Sequence, residues 1–492
     1  MPDSTQRNMK MPDLIARMTL ASGMLFMLAG CADMSGIAPH AQSSDADEFD
    51  AGKAISCAPL ISWPSEAWWA VYRDPQLDAL ITKTIDDSPT FRAAQTRIAQ
   101  SQAASDSLYA ETLPNISADT SIAREKFTSL QFIPPPWGGN TDWNNKTQLT
   151  LAYDLDLWDR QKSLWRASVD ESRAIAAEVQ LVKLALVTAV IQSYVQLAME
   201  FKLRDIAVAQ MQQLELRVSI ARRSLAAGLG TELAVAEIET PLPQARAQIE
   251  AIDARMRLLR NQLAALSGQG PGAGEHLARP TLALDAVVGL PDRLPANLVG
   301  RRPDVLASIW RVQAAQQNIE GARAAFYPNI NLLAFAGFQA IGFGQLATSA
   351  ATIAGVGPAI SLPIFDGGRR RGNLSAKTAA YDNAVESYNG LLVRALQEVS
   401  DQLVVLQANA RQQTEAENAL GLARKTHALA VKSFHAGLDD YQHVLKAMML
   451  VLQQQENMAR LQAVRLAAYA NLMRALGGGT LTNNQMRQAS VY

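Results

Sequence analysis

The sequence predicts a mostly helical protein with some β structure, built from one unit used twice: a helix, a strand hairpin and a long helical hairpin. The first observation behind this is a repeated frame. Pro89, Arg97, Ala110, Pro114, Asn115 and Ile116 are answered by Pro303, Arg311, Ala324, Pro328, Asn329 and Ile330. The prolines bracketing the frame lie 25 residues apart in each copy (114 − 89 and 328 − 303). Self-similarity at a fixed offset decides architecture before any local pattern does. The second observation is alternation. Leu149, Leu151, Tyr153, Leu155 and Leu157 are apolar and most residues between them polar, the period of a strand with one apolar face. The third is the stretch 160–226, which holds no Pro or Gly. As a helix, at about 1.5 Å per residue, it runs on the order of 100 Å, too long for a compact domain.

Composition narrows the function classes. The chain has 492 residues, a net charge of −1 and 18% charged residues. No basic excess argues for nucleic acid, and no acidic run argues for a disordered tail. Ala, Gln and Leu dominate the long middle segments and favour helix. After residue 30 no uninterrupted apolar run is long enough for a membrane-spanning helix, so a membrane crossing has to use strands. Two cysteines and five histidines are too few for a disulfide framework or a zinc cluster. There is no nucleophile elbow, metal-ligand pair or phosphate loop, and Gly477 to Gly479 sit at a helix end. Neither an enzyme nor a cofactor or metal is expected.

The N-terminus is an address. Lys10 and Arg17 precede an apolar run, Met18 to Ala29, that closes in Leu28-Ala29-Gly30-Cys31. A charged start, a short apolar middle and small residues before a cut make a secretory signal. Leu-Ala-Gly-Cys resembles the bacterial lipobox, which implies cleavage before Cys31 and acylation, palmitate included, of its sulfur and new amino group. Acyl chains anchor by burying methylenes, roughly 0.8 kcal/mol each. Ala32 is not the aspartate that retains such lipoproteins at the inner membrane, so an outer-membrane destination is implied. The expected divisions are a signal peptide (1–30), an acylated flexible tether (31–60), a first repeat (61–268), a linker (269–295), a second repeat (296–478) and a tail (479–492). The tether is rich in Ala, Ser, Asp and Gly, and Cys57 within it is left unpaired.

Along the mature chain, Trp63 to Trp69 opens the folded part. Asp74-Pro-Gln-Leu leads into a first helix ending near Glu111, with Ser88 and Pro89 fitting a cap and an N-terminal helix position. At Pro114 and Pro328 the helices stop, because the residue before proline is pushed out of the helical region and proline is tolerated as a strand's first residue. Strand patterns cover Asn115 to Phe132, Thr147 to Trp158, Asn329 to Phe338 and Ala354 to Phe365. The loops between them are Pro134 to Gly139 and a Gly/Ala/Ser stretch from Gly342 to Ala351. About ten alternating residues is the length of one tilted transmembrane strand.

Long helices follow each hairpin. Ile175, Val179, Val182, Leu186, Val190, Tyr194, Leu197 and Phe201 keep a three-four spacing, and so do Val385, Tyr388, Leu392, Leu396, Val399, Leu403 and Leu406. These are coiled-coil seams. Leu181, Leu184, Val187 and Ile191 form a second seam, and a helix apolar on two sides needs two neighbours. The long segments break at Ala227-Gly228-Leu229-Gly230 and Ala436-Gly437-Leu438-Asp439, where glycine can end a helix. Pro241 and Pro243 should kink the next helix. The copies close at Ala265 to Gly268 and Ala475 to Gly478. Four strands per chain cannot close a barrel, and open edges are not tolerated in lipid. Several chains must therefore share one barrel.

These pieces, with Trp68-Trp69, Arg302-Pro-Asp304, the block Ala322 to Asn329, Leu362-Pro-Ile-Phe-Asp-Gly-Gly368 and Ala436 to Tyr441, resemble the outer membrane factor family of TolC/OprM-like ducts. The nearest resemblance is to its NodT-type lipoprotein branch. The resemblance implies a homotrimer whose twelve-stranded β-barrel continues into a long α-helical barrel in the periplasm. It implies the outer membrane channel of a tripartite efflux system, a passive duct for small molecules or drugs. The implied partners are a periplasmic adaptor (membrane fusion) protein, met by the turns at Gly228, Gly230 and Gly437, and an inner-membrane transporter of the RND type. Strand loops near Pro135 and Gly344 would face outside.

Many members carry aspartates that ring the periplasmic aperture. In this chain the corresponding stretch holds Asp439, Asp440, His443 and Lys446, so a histidine and a lysine fall where acids align. If His443 faces the axis, its protonation near about pH 6 adds repulsion. The plainer reading makes it a polar helix residue facing solvent or a neighbour. Two alternatives remain: the outer membrane duct of a type I protein secretion system, and a periplasmic coiled-coil scaffold, which leaves the strands unexplained.

Overall fold

The computed structural model describes residues 34–45, 48–50, 55, 63–130, 133–283 and 301–479. Cys31, Cys57, the signal segment, residues 284–295 of the linker and 480–492 of the tail lie outside these. Two helices, α1 (Pro75–Asp87) and α2 (Pro89–Ala110), lead to strands β1 (Asn115–Lys126) and β2 (Thr141–Asp154), then α3 (Arg160–Ala226), α4 (Glu232–Glu239) and α5 (Pro241–Leu266). After the short α6 (Pro271–Glu275) come α7 (Pro303–Ala324), β3 (Asn329–Ile341), β4 (Thr352–Ser361), α8 (Arg369–His435) and α9 (Tyr441–Ala475). The duplication holds in length: α2 and α7 have 22 residues each, α3 and α8 have 67 each.

Several element bounds differ from the sequence expectation. The first helix is two helices, because Ser88 precedes Pro89 and turns extended at ψ 121. β1 stops at Lys126 because Phe127 enters the loop and pairs with Asn140 and Gly139 backbone; positions 131 and 132 lie outside the described residues. β2 starts earlier, at Thr141, and stops at Asp154. The alternation of Leu155 and Leu157 runs on past the strand, but Asp156 at φ 42 and Asp159 at φ 54 make that stretch a turn. The Asp156 carboxylate then accepts from the amides of Gln161 and Lys162 and caps α3. In the second copy Asp366 does this, accepting from Gly368 and Arg370. Its sequence counterpart was Asp159, so the two copies cap their long helices from different positions. Thr240, in helical geometry before Pro241, separates α4 from α5, the break the two prolines were expected to make.

The chain divides into two compact bodies. The first comprises residues up to Ser43, Ala99–Ala174 and Ser308–Ser387. It holds the sheet and the helix segments next to it. Here α2 and α7 pack on the first turns of α3: Tyr109 tilts on Trp165 at 5.2 Å, and the Arg173 guanidinium lies 4.8 Å over the Trp310 ring. Gly321 lies close against α3: a Cβ there would meet the Leu164 side chain at 3.3 Å. The expected flexible tether is not loose over its described part. Met34 and Ile37 join a core cluster with Ile319, Phe326 and Leu374.

The second body comprises Ser44–Ile98, Ile175–Ala307 and the chain from Tyr388 onward. Its core gathers Tyr72, Leu77, Ile81, Val187, Ile191, Tyr194, Leu197, Ile252, Leu263, Val399, Leu403 and Leu472. Both expected seams of α3 are present, Val187 and Ile191 on one, Val190, Tyr194 and Leu197 on the other. Burying each such side chain stabilises by about 1.5–3 kcal/mol. This explains why α3 contains an 18-residue window of mean hydropathy 1.9: it is a core helix with partners on two sides.

Two polar clamps hold this body. Asp74 caps α1 by accepting from the Gln76 and Leu77 amides, and also accepts from the Tyr194 hydroxyl at 2.9 Å and the Thr281 amide at 2.8 Å. Burial, the first cause, and then the neighbouring Asp74 push the Tyr194 phenol well above its ordinary value, though the Gln76 hydrogen bond works the other way. In the second clamp Arg302 donates to Asp304 at 2.7 Å, to Glu398 at 2.9 Å and to the Ala475 carbonyl at 3.0 Å. Burial alone would raise the Asp304 carboxyl; the hydrogen bonds and charge of Arg302 outweigh it and hold the carboxyl below its usual range.

Candidate functional site

Among the described residues the strands form one antiparallel sheet in the order β1-β2-β3-β4. Its register fixes what each face carries, because residues opposite one another in an antiparallel pair point the same way. Leu151 faces Ile116 on β1 and Ala334 on β3, and Ala334 faces Val356 on β4. That face also carries Ile122, Leu149, Tyr153, Ile330, Leu332, Phe338 and Ile360 by the same register. It is an apolar band exposed to its surroundings: Ile116 and Ile360 are 68% exposed and Val356 77%. Thr120, Thr147, Arg124 and Asn145 interrupt it toward the loops; Asn145 is buried, its amide donating to the Gly342 carbonyl at 3.1 Å.

The opposite face is polar on β1 and β2. Asp119 accepts from Ser117 and Thr150, Gln148 donates to Thr150, and Asn144 donates to Glu125 at 2.8 Å. Asp142, Lys146 and Asp154 share this face. On β3 it carries Asn329, Asn331 and Gln339 together with Leu333 and Phe335, and on β4 the small Gly355, Gly357, Ala359 and Ser361. The Phe335 ring lies over Gly355, where a Cβ would come within 2.7 Å of the ring and push it aside. One face fit for hydrocarbon and one fit for water is the alternation of a transmembrane barrel wall.

Aromatic groups mark both ends of the band. Trp143 and Phe343 meet at 5.6 Å near the loops; Trp158 stacks on Tyr327 at 4.7 Å at the helix end, its indole N–H donating to the Pro328 carbonyl. From Trp143 to Asp154 an extended strand covers about 37 Å. At a tilt near 40° that is about 28 Å of depth, close to the apolar height of such barrels. The outer strands β1 and β4, of 12 and 10 residues, pair with no further strand among the described residues. Such edges cannot stay open in lipid.

At the far ends of the long helices, in the second body, the two hairpin turns share one construction. Gly228 at φ 72 and Gly437 at φ 70 are left-handed. The Leu229 amide donates to the Ser224 carbonyl and Gly228 to Leu225; Leu438 donates to Ser433 and Gly437 to Phe434. Both are Schellman caps. Thr231 and Asp440 then cap the outgoing helices, accepting from the Ala234 and His443 amides. The leucine after each glycine points into solvent, Leu229 83% and Leu438 81% exposed. Gly230 is not left-handed; its missing Cβ makes room for the Leu225 amide.

The four aperture candidates divide by task. Asp440 is spent on the helix cap. Asp439 accepts from the Asp440 amide and lies 3.4 Å from the His443 ring nitrogen. His443 is 65% exposed beside that carboxylate, and Lys446 is exposed one turn on. No sequence signal pointed to a link between the two hairpins: Arg217 of α3 donates to the Gln442 side chain of α9 at 3.1 Å.

The comparisons with known proteins agree with this geometry. The family described as outer membrane efflux protein matches residues 80–269 and 294–478, one stretch in each copy. The chain is similar to the fusaric acid resistance protein FusA of Burkholderia cepacia, 40% identical over 372 residues, 73% of this chain and 69% of that one. It is similar to the multidrug resistance outer membrane protein MdtP of Escherichia coli (strain K12), 30% identical over 485 residues, 94% of this chain and 97% of that one. Among solved structures, the outer membrane protein VceC of Vibrio cholerae matches with a TM-score of 0.78 at 30% identity, over 85% of this chain and 100% of that one.

Proposed function

Because the chain belongs to the outer membrane efflux protein family, we propose that three copies close one barrel, β4 of each pairing with β1 of the next. The apolar band faces lipid and the polar face lines water. The sheet carries this reading: four strands, one apolar face and two open edges are a fraction of a wall. The long helices of the three copies continue the duct into the periplasm. It does no chemistry; it gives cargo handed over by an inner-membrane transporter of the RND type a path through the outer membrane. The names of its relatives, fusaric acid and multidrug resistance, favour small molecules over proteins as cargo.

The periplasmic adaptor meets the two turns, with Leu229 and Leu438 as the apolar contacts. Opening moves the tips outward and breaks the Arg217–Gln442 link. Cys31, acylated, holds the mature N-terminus at the outer membrane. Protein extracted from outer membranes in detergent, weighed by native mass spectrometry and reconstituted in a planar bilayer, tests the reading. A trimer with discrete conductance steps is expected. A water-soluble monomer without sheet signal overturns it.

A further inference from the structure

The water-lined face of the sheet carries two side chains that a polar wall does not call for. Leu333 and Phe335 stand on it near the middle of β3, each 40% exposed. The register sets their surroundings. Leu333 lies between Ala152 of β2 and Gly357 of β4, and Phe335 between Thr150 and Gly355. The Phe335 ring leans on β4, its Cε1 and Cζ atoms 2.7 and 2.8 Å from where a Gly355 Cβ would stand. Aromatic rings shield glycine backbone in sheets. Here that contact uses one edge of the ring, leaves the rest open and does not account for Leu333. Beside Leu333, a Cβ on Gly357 would meet open space. Single apolar side chains scattered on a surface need no explanation. These two are neighbours on one face, among small groups, at mid-depth of the apolar band.

Polar groups frame the pair. Toward the helices, Asn331 and Asp154 face each other across β3 and β2. Toward the loops, Gln148 donates to Thr150 and Thr150 to Asp119. Leu333 and Phe335 stand about 7 Å apart along the strand, a length that a fused two-ring aromatic spans. A flat ring gains more here than an aliphatic chain does, because it also meets Phe335 in offset or edge contact. Charge selects within the aromatic class. Among the described residues this face carries Asp119, Glu125, Asp142 and Asp154 against one ammonium, Lys146. Cations gather at such a wall and anions are repelled, and an aromatic face attracts a cation further. We infer that Phe335, with Leu333 beside it, is a stacking step in the duct wall for planar aromatic cations in passage. The step is shallow and open, so it holds cargo briefly and lets it leave. Three copies set three such steps around one axis. This rests on the duct reading above.

The full chain, purified from outer membranes and placed in lipid vesicles, is irradiated with ethidium monoazide, a planar aromatic cation that cross-links in light, and the labelled positions are mapped. Label is expected to concentrate in 333–335 and 355–359. Excess ethidium should lower it at least fivefold, and the same excess of tetrabutylammonium, a cation without rings, should not. Phe335→Leu should lower the label at least fivefold and Phe335→Tyr should retain it. Conductance steps of each variant in a planar bilayer, equal to those of the unaltered protein, show that the barrel is intact. If Phe335→Leu yields no channels, Gly357→Val decides, because its side chain fills the open space beside Leu333 and should lower the label at least twofold. Equal competition by tetrabutylammonium, undiminished label in the deciding variant, or label spread evenly along the wall overturns the step and leaves the duct standing. Unaltered protein without discrete conductance overturns the duct and the step with it.

Discussion

Replacing Arg302 with methionine tests the clamp between α7, α8 and α9. The guanidinium side chain is 6% exposed and the methionine fills similar space. The substitution leaves the Asp304 and Glu398 carboxylates facing one another without a cation, and the Ala475 carbonyl without its donor. Breaking a buried ion pair from one side costs about 3–5 kcal/mol. Asp304 and Glu398 keep 18% and 29% side-chain exposure, so water softens the loss and about 3 kcal/mol is expected. At about 1.4 kcal/mol per factor of ten, the Leu306 and Leu476 amides should exchange about 100-fold faster in the purified protein. The triple variant Arg302→Met/Asp304→Leu/Glu398→Met should recover most of that, because no charge is left unpaired. Acid gives a second test. The folded Asp304 carboxyl lies below its unfolded value of about 3.9, so its contribution is present above about pH 4 and is lost as pH falls through the folded value. Less than a tenfold change in exchange for Arg302→Met, or a triple variant weaker than the single one, would refute the clamp.

Other outcomes follow from the turns and the packing. Gly437→Ala puts a Cβ at φ 70, costs about 1 kcal/mol and should speed exchange at the end of α8 about fivefold. Leu229→Asp and Leu438→Asp should leave the assembly intact and abolish pull-down of the adaptor; undiminished pull-down places the contact elsewhere. Arg217→Ala removes a hydrogen bond of about 1 kcal/mol per chain and should raise the conductance of reconstituted channels, an effect whose absence removes the link from closure. Gly478→Val drives a side chain into Leu184, which a Cβ would already approach to 2.2 Å, and should lower the yield of folded protein severely.

Much of the fold was legible because the sequence states it twice. Pro114 and Pro328 marked helix ends, Gly228 and Gly437 marked turns, and unbroken runs between Gly or Pro marked α3 and α8. What pattern could not supply was backbone sign and partner choice. Leu155 and Leu157 continue an alternation, but Asp156 and Asp159 adopt left-handed backbone and end the strand. Ala- and Ser-rich composition suggested a free tether, because the carboxylate that binds it, Asp382, lies 342 residues from His40. Asp439 and Asp440 were legible as acids at a turn, not as groups already spent on a cap and a histidine. The Arg217–Gln442 link joins residues 225 apart and left no local trace.

The equal span of α3 and α8, 67 residues each, constrains how this lineage can change. Dropping one heptad from a single copy would keep its seam in phase yet retract one leucine tip by about 10 Å relative to its twin. A docking partner that reads both tips would then find only one. Growth or trimming of the tunnel is therefore a coupled event, tolerated when both halves of the gene change in step.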